Sequence, residues 1–223
     1  MPNHEGKETI TITCPNCGAS QRMTVWLLVD SEDNPTVVKK LLSGKLFEKK
    51  CTKCGVTSGF KYPVVYMNHK QNTIINYVED DMQALLLKDT IAESRKSQHP
   101  KDRDNVRVVN SINSFREKVN LCEKGLDDRI VELEKVVLID NVLSDVEDKD
   151  IERVLCWVNE DGTFDFDIFG KHEMSFNVKP DLYHDLTAIF GRMMKTKYKD
   201  VLDVDLDFAI DFVQKTHFKT EMN

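Results

Sequence analysis

Alternating polar and apolar residues dominate the start of the chain. Residues 8–13 alternate Thr with Ile, the pattern of a half-buried strand, and three later runs also predict strands. The four predicted strands lie near residues 8–13, 22–29, 59–67 and 73–78. Between the second and the third, Asn34 and Pro35 supply a cap and a first position for a short helix that ends near Gly44. The pattern predicts a β-rich unit with one small helix.

The apolar spacing changes to a helical period in the middle of the chain. Met82, Leu85 and Leu86 predict a helix that runs to about Ser97. A second helix is predicted over residues 106–124, with an apolar face of Val109, Ile112, Phe115, Val119 and Cys122. Gly125 can end this helix. A third helix follows, which Asp127 or Asp128 can cap and whose apolar stripe is Ile130, Leu133, Val137 and Leu138.

The last part of the chain returns to alternation. Residues 153–158 and 163–169 predict a hairpin, because Asp161-Gly162 between them is typical of a tight turn. Three further elements are predicted: a strand over 174–178, a helix opened by Pro180 and an element near residues 208–213.

Four of the six cysteines form two C-x-x-C-G motifs, Cys14 with Cys17 and Cys51 with Cys54. Each motif points two sulfurs at one metal ion, and the glycine that follows can adopt a positive φ and expose backbone N–H groups to the thiolates. Two such motifs supply the four ligands of a tetrahedral Zn²⁺ site, which is closed and therefore structural. The 33 residues between the motifs must fold back on their own.

Two other uses of these cysteines stay open. A single C-x-x-C that opens a helix is typical of a thioredoxin-like redox dithiol, although the first motif here follows a predicted strand. Iron held as in rubredoxin needs the same four sulfurs in the same geometry.

The composition describes an ordinary globular protein, with 40% hydrophobic residues and a formal net charge of -7. The polar N-terminus lacks a signal-peptide core, and the longest apolar run, residues 25–29, is far shorter than the roughly 20 residues of a membrane span. We therefore expect a cytoplasmic protein with no membrane partner. Residues 1–80 carry ten Lys and Arg against eight Asp and Glu, whereas the rest carries 21 against 30.

One lysine-rich run precedes and enters the second cysteine motif. It comprises Lys39, Lys40, Lys45, Lys49, Lys50 and Lys53. Four thiolates around Zn²⁺ leave a charge of -2, which these lysines can offset. They can also contact phosphate or a protein surface, but the run lacks the aromatic platform of single-strand binders. We expect a protein partner rather than a nucleic acid.

Other candidate residues favour structural roles. Asp203, Asp205 and Asp207 lack the Gly and Glu of a calcium loop and are expected on a solvated face or at a helix cap. Cys122 and Cys156 lie singly in apolar patterns and are expected in the core. No ligand-like spacing relates the five later histidines, which are His69, His99, His172, His184 and His217.

The cysteine motifs resemble those of the CpXC family, a prokaryotic family with no established function. The resemblance extends over about residues 12–140 and includes a later helical motif with Glu117-Lys118, Gly125-Leu126-Asp127-Asp128-Arg129, Glu132 and Lys135. It implies a bacterial source and a metal-binding module. Thr52 stands where the first motif has Pro15, which changes the stiffness of the turn and removes no ligand.

The charged residues of the helical motif have two interpretations. Asp127 and Asp128 are expected to cap a helix. Alternatively, an acid-base or partner-recognition cluster forms on a shared surface, since residues one turn apart on a helix are neighbours. That cluster would contain Arg107, Glu117, Lys118, Asp128, Arg129 and Glu132.

We expect an α+β protein with three parts. Residues 1–80 form a zinc-ribbon-like metal-binding unit, residues 81–145 a helical connector that completes the CpXC-like domain, and residues 146–223 a mixed α/β C-terminal region. The leading function is a protein-binding or adaptor module stabilised by structural zinc. The alternatives are an enzyme with a cleft between the ribbon and the helical part, and a nucleic-acid-associated zinc ribbon.

Overall fold

The computed structural model describes residues 6–142, 151–171 and 173–218, which contain eleven strands and six α-helices. The strands are β1 (Lys7–Thr13), β2 (Ser20–Trp26), β3 (Leu28–Asp30), β4 (Glu48–Lys50), β5 (Thr57–Gly59), β6 (Val64–Asn68), β7 (Thr73–Tyr77), β8 (Asn105–Val109), β9 (Ile151–Val158), β10 (Phe164–Gly170) and β11 (Met174–Val178). The helices are α1 (Pro35–Leu42), α2 (Asp81–Lys96), α3 (Ile112–Glu123), α4 (Asp128–Val142), α5 (Asp181–Thr196) and α6 (Leu206–Thr216). This mixture confirms the predicted α+β class. Among the described residues, no helix is both long enough and apolar enough to cross a bilayer.

The chain divides into two compact units, residues 1–119 and 120–223. The boundary falls within α3, where the sequence shows no break in composition. The expected division into residues 1–80, 81–145 and 146–223 places its boundaries elsewhere and stays a prediction. Its second boundary lies within residues 143–150, outside the described part of the chain.

Two short antiparallel hairpins carry the cysteine motifs. β1 pairs with β2, so that residues 14–19 form the turn between them, and β4 pairs with β5, so that residues 51–56 form the second turn. We call these the first and the second cysteine turn. The 33-residue insert folds back as expected, since it holds β2, β3, α1 and β4.

A four-stranded mixed sheet in the order β3-β6-β7-β8 completes the first unit. β7 and β8 are parallel and are joined through α2, so residues 106–109 belong to a strand. The prediction of a helix beginning at Val106 was therefore wrong for residues 106–111, since α3 begins at Ile112. The β-branched Val106, Val108 and Val109 suit a strand, and pairing with β7 decides between the two structures.

The helix α2 confirms the predicted element but not its buried face. Asp80 accepts a hydrogen bond from the backbone N–H of Gln83 at 2.8 Å and so caps the helix. Ala84 is buried against Val78 and Val108 of the strand region. The three apolar residues on which the helix was predicted, Met82, Leu85 and Leu86, are all exposed.

Aromatic rings tie the second hairpin to the core of the first unit. Phe47, directly before β4, lies 5.2 Å from Tyr62 and 5.7 Å from Tyr77 between ring centroids. Phe115 of α3 lies 5.8 Å from Tyr77. The hydroxyl of Tyr62 donates to the carbonyl of Leu46 at 2.8 Å. These contacts fix the base of the hairpin whose tip is the second cysteine turn.

In the second unit, α4 contacts both α5 and α6, and the antiparallel sheet β11-β10-β9 supplies aromatic side chains to the same core. The predicted hairpin is confirmed, with Gly162 at a φ of 85° in its turn. Phe166 of β10 stacks on Phe176 of β11 with ring centroids 5.9 Å apart. Phe190 and Phe212 meet edge to face at 5.1 Å between α5 and α6.

A carboxyl group is buried without a partner in this second core. The Glu134 side chain of α4 is 0% exposed, and neither of its oxygens has a hydrogen-bond partner among the described residues. Desolvation raises the pKa of Glu134 to about 8, so the group is protonated at neutral pH. The folded unit therefore binds one more proton than the unfolded chain between the ordinary glutamate pKa and about pH 8.

We predict that Glu134→Met stabilises the protein, and does so more strongly as the pH rises. Holding the carboxyl protonated at pH 7 costs about 3 kcal/mol of folding free energy, and the cost grows up to about pH 8. Urea unfolding at pH 5, 7 and 8.5 measures the gain. The exposed Glu160 provides a control, since Glu160→Met is expected to change little at any of these pH values. An equal gain at all three pH values for Glu134→Met contradicts the prediction.

The glycines of the cysteine turns give a second prediction. Gly55 has a φ of 76°, and no heavy atom lies within 4 Å of the Cβ that a larger residue would add. The conformation alone therefore opposes substitution, and Gly55→Ala is expected to cost about 1 to 2 kcal/mol of unfolding free energy. Gly59→Ala is the matched control in the same hairpin, because a Cβ there meets Phe47 O at an ordinary 4.0 Å. Chemical unfolding under identical metal and reducing conditions compares the two, and equal effects would show that the turn is not strained.

Candidate metal centre

The four cysteines of the two motifs form one cluster. The sulfurs of Cys14, Cys17, Cys51 and Cys54 all lie within 4.8 Å of one another. The two shortest separations run between the turns: Cys14 Sγ is 3.7 Å from Cys54 Sγ, and Cys17 Sγ is 3.7 Å from Cys51 Sγ. The tips of two separate hairpins therefore meet at this point.

The two cysteine turns have the same backbone structure. The N–H of Cys14 donates to the carbonyl of Ala19 at 2.9 Å, and the N–H of Cys51 donates to the carbonyl of Val56 at 2.8 Å. In both turns the glycine N–H also returns to the carbonyl of the first cysteine, at 2.9 Å and 3.0 Å. Gly18 has a φ of 68°, close to that of Gly55, which confirms the positive φ expected after each second cysteine.

Backbone N–H groups point at the sulfurs, as the glycines were expected to allow. The backbone N–H of Ala19 donates to the Cys17 sulfur, and the backbone N–H of Val56 donates to the Cys54 sulfur. In each turn, therefore, the residue two positions after the second cysteine donates to that cysteine. In the second turn the N–H of Lys53 also donates to Cys51 Sγ at 3.4 Å. Such donors stabilise thiolates rather than thiols.

The cysteines differ in pKa because their donors differ. The N–H of Val56 and the side-chain amide of Asn16 lower the pKa of Cys54 to about 6. The N–H groups of Cys54 and Lys53 lower the pKa of Cys51.

The pKa of Cys17 is displaced in the opposite direction. The N–H of Ala19 lowers it, but desolvation and the three neighbouring cysteines outweigh that effect and raise the pKa to about 12. Four sulfurs this close do not all ionise on their own. A cation among them removes this conflict, which is one sign that the cluster fits a metal ion.

The distances give a second sign. Zn–S bonds of about 2.3 Å in a tetrahedron place neighbouring sulfurs about 3.8 Å apart. Two pairs of sulfurs are already 3.7 Å apart in the structure. An ion bound by all four sulfurs would have no coordination position left for a substrate water.

Two contacts between the two hairpins were not predicted from the sequence. The side-chain amide of Asn16, in the first turn, donates to Cys54 Sγ of the second at 3.5 Å. The Gln21 side-chain oxygen accepts from the backbone N–H of Thr52 at 3.2 Å. The first pair is 38 positions apart in sequence and the second is 31. No spacing rule relates residues so far apart, because they come into contact only when the two hairpins pack together.

The lysine-rich run does not lie on a single element. Lys39 and Lys40 lie in the last turn of α1, whereas Lys49 and Lys50 are on β4 and Lys53 is in the second cysteine turn. Lys49 is half-buried, and the other five lysines are exposed. Lys50 and Lys53 flank Cys51 in sequence, which agrees with a role in offsetting the charge of the thiolates.

The charged residues of the helical motif do not form the surface cluster that was considered. Five of the six residues are at most 4% exposed and so do not form an exposed surface; these are Arg107, Glu117, Lys118, Arg129 and Glu132. Periodicity along one helix does not reveal this burial. Lys135 and Glu132 form a buried ion pair at 2.9 Å.

Arg129 and Asp127 hold the start of α4. Asp127 Oδ1 accepts from the backbone N–H of Arg129 at 3.1 Å, and the two side chains form an ion pair at 2.8 Å. The Arg129 guanidinium also donates to the carbonyls of Met194 and Tyr198, at 2.8 Å and 3.0 Å. The capping interpretation of Asp127 is confirmed.

The remaining candidates have the structural roles expected of them. Asp205 caps α6 by accepting from the N–H of Phe208 at 2.9 Å. Cys122 and Cys156 are buried. His172 lies outside the described residues. Among the described residues, the cluster of Cys14, Cys17, Cys51 and Cys54 is the group that metal-ligand geometry selects.

Comparison with known proteins agrees with this centre. The family model of the CpXC protein matches residues 12–135, which contain all four cysteines and the whole helical motif. No curated protein matches the chain, and no solved structure matches it. The match covers more than half of the sequence and begins two residues before the first cysteine. The chain belongs to the CpXC family.

Proposed function

We propose that this chain is a protein-binding module whose first unit is stabilised by a structural Zn²⁺ ion. The ligands would be Cys14, Cys17, Cys51 and Cys54, and the binding surface would be the exposed face of α2. Three kinds of observation support the proposal: the closed set of four sulfurs, the apolar side chains that α2 presents to solvent, and the burial of the charged residues that an enzyme would need exposed.

The metal would act through folding. The cluster joins the tips of two hairpins whose strands are three to seven residues long. Isolated hairpins of this kind are at best marginally stable in water. Binding energies on the order of 10 kcal/mol are typical of structural zinc in small domains, enough to hold such hairpins together.

The exposed face of α2 is the strongest sign of a partner. Met82, Leu85 and Leu86 are 65%, 56% and 59% exposed, and their spacing places them on one side of the helix. The opposite side of α2 already packs on the sheet through Ala84. Single exposed apolar residues are common, but three adjacent ones form a patch of the kind that protein interfaces cover.

The rim of this patch indicates the chemistry of the partner. Glu79 and Asp81 are exposed at the start of α2, and Asp89 is exposed one turn beyond Leu85. A matching surface has apolar side chains flanked by Lys or Arg, because charge complementarity steers association and suppresses wrong partners. We therefore propose a protein segment of apolar and basic residues as the occupant.

The other two functions have less support. The carboxyl group with the raised pKa, Glu134, is fully buried, so no substrate reaches it in this fold. A nucleic-acid surface would use the exposed lysines, which are divided among α1, the segment after it, β4 and the second cysteine turn. The apolar patch, in contrast, is contiguous along one helix.

The metal prediction concerns stoichiometry and folding. The purified reduced chain is expected to hold one Zn²⁺, and its complete removal by a chelator is expected to unfold the two hairpins of the first unit. Elemental analysis and far-ultraviolet circular dichroism measure the two effects. Cys51→Ser is expected to lose the metal, whereas the control Cys122→Ala keeps it. Iron in place of zinc, or unchanged β structure after metal removal, contradicts the proposal.

The partner prediction concerns the face of α2. We expect Leu85→Gln with Leu86→Gln to abolish binding to a protein of the native host that wild type binds, since both side chains lose their apolar contact. Ile189→Gln is the matched control, because Ile189 is 61% exposed on α5 outside the patch. A photoreactive residue in place of Met82 then identifies the bound segment by mass spectrometry.

The outcomes separate the alternatives. A cross-linked segment of apolar and basic residues supports the proposal. Binding that survives the α2 double substitution contradicts it, as does a cross-link to a second copy of this chain. If charge reversal at Lys39, Lys40, Lys49 and Lys50 removes bound nucleic acid while the α2 substitution has no effect, the chain is a nucleic-acid-associated zinc ribbon instead.

A further inference from the structure

The four sulfurs of the metal centre are not equally accessible. Cys14 and Cys51, the first cysteines of their turns, are each 2% exposed. Cys17 is half-buried, and Cys54 is exposed. A small reactive molecule in solution therefore meets Cys54 first, and its access to Cys14 is blocked by the protein.

The exposed sulfur lies next to a buried one from the other turn. Cys54 Sγ is 3.7 Å from Cys14 Sγ, while the other buried cysteine, Cys51, is 3.7 Å from Cys17. The two closest pairs therefore each join the first turn to the second. A bond within either pair would link the same two hairpins that the metal links.

We propose that Cys54 is an oxidation site through which hydrogen peroxide converts the metal centre into a disulfide between Cys54 and Cys14. This inference rests on the proposed metal centre but not on the proposed protein partner. It makes the centre a peroxide-sensitive site in which loss of metal is coupled to formation of a cross-link.

The reaction proceeds in two balanced steps. The Cys54 thiolate attacks one oxygen of the peroxide, the O–O bond breaks, and Cys54 becomes a sulfenic acid while hydroxide leaves. The Cys14 thiolate then attacks Cys54 Sγ, forms the S–S bond and displaces a second hydroxide. The two sulfurs lose two electrons together, and one peroxide gains them. Only Cys17 and Cys51 remain as thiolates, which is too few to retain a structural metal ion.

The side chain of Asn16 moderates the first step. Its amide donates to Cys54 Sγ at 3.5 Å and so engages the electron pair that would attack the peroxide. A hydrogen bond of this kind changes rates roughly two- to tenfold. Asn16 is thus a positioning residue that slows oxidation of the one exposed sulfur.

Titration of the reduced, zinc-loaded full chain with hydrogen peroxide tests the proposal. Metal content is measured first, so that absence of zinc overturns the proposed metal centre separately from this inference. A chromogenic chelator follows metal release, and alkylation with peptide mass mapping locates the first disulfide. We expect about one metal ion released per peroxide consumed, with Cys14 joined to Cys54.

A pair of variants tests the role of Asn16. Asn16→Ala is expected to release metal roughly two- to tenfold faster than wild type. Thr52→Ala is the matched control on the second turn, where only the backbone N–H contacts Gln21, and it is expected to match wild type. Equal rates in all three proteins overturn the role of Asn16.

The position of the first disulfide decides the main claim. A first disulfide within one turn, or between Cys17 and Cys51, overturns it. So does a chain that keeps its metal while peroxide is consumed. Dimedone labelling gives an independent readout, since the sulfenic acid is expected at Cys54 and its appearance at another cysteine contradicts the proposed order.

Discussion

The meeting of two hairpin tips at four sulfurs is the interaction on which the first unit depends. The four sulfurs come within 4.8 Å of one another only when both turns are in place. Identical backbone hydrogen bonds and a positive φ at Gly18 and Gly55 build each turn. Thiolates packed this closely repel one another, so the geometry that joins the hairpins also creates a site for a cation.

The same packing gives the centre its asymmetry. The first cysteine of each turn is buried, whereas Cys17 is half-buried and Cys54 is exposed. Asn16 crosses from the first turn to the exposed Cys54 of the second. The four-cysteine cluster therefore has one sulfur, that of Cys54, which solvent reaches.

Outside the cysteine cluster, several charged residues are buried and several apolar residues are exposed. The charged residues of the helical motif are buried, and Arg129 holds the start of α4 against carbonyls of α5 and the residues that follow it. Apolar residues of α2, in contrast, are on the surface. This reversal of the usual pattern is the reason for proposing the apolar face of α2 as the binding surface.

The sequence by itself determined the local features. Alternation, caps and turn residues predicted the early strands, α1 and the Asp-Gly hairpin. Helical spacing of apolar residues predicted α2, and the spacing of the cysteines predicted the four-sulfur cluster. All of these depend on neighbours along the chain. The tertiary structure decided the rest. Residues 106–109 became a strand through pairing with β7, and Ala84 rather than Met82 faced the sheet, because that choice depends on the surface α2 meets. The burial of Glu134 and the contact of Asn16 with Cys54 likewise arise only between elements distant in sequence.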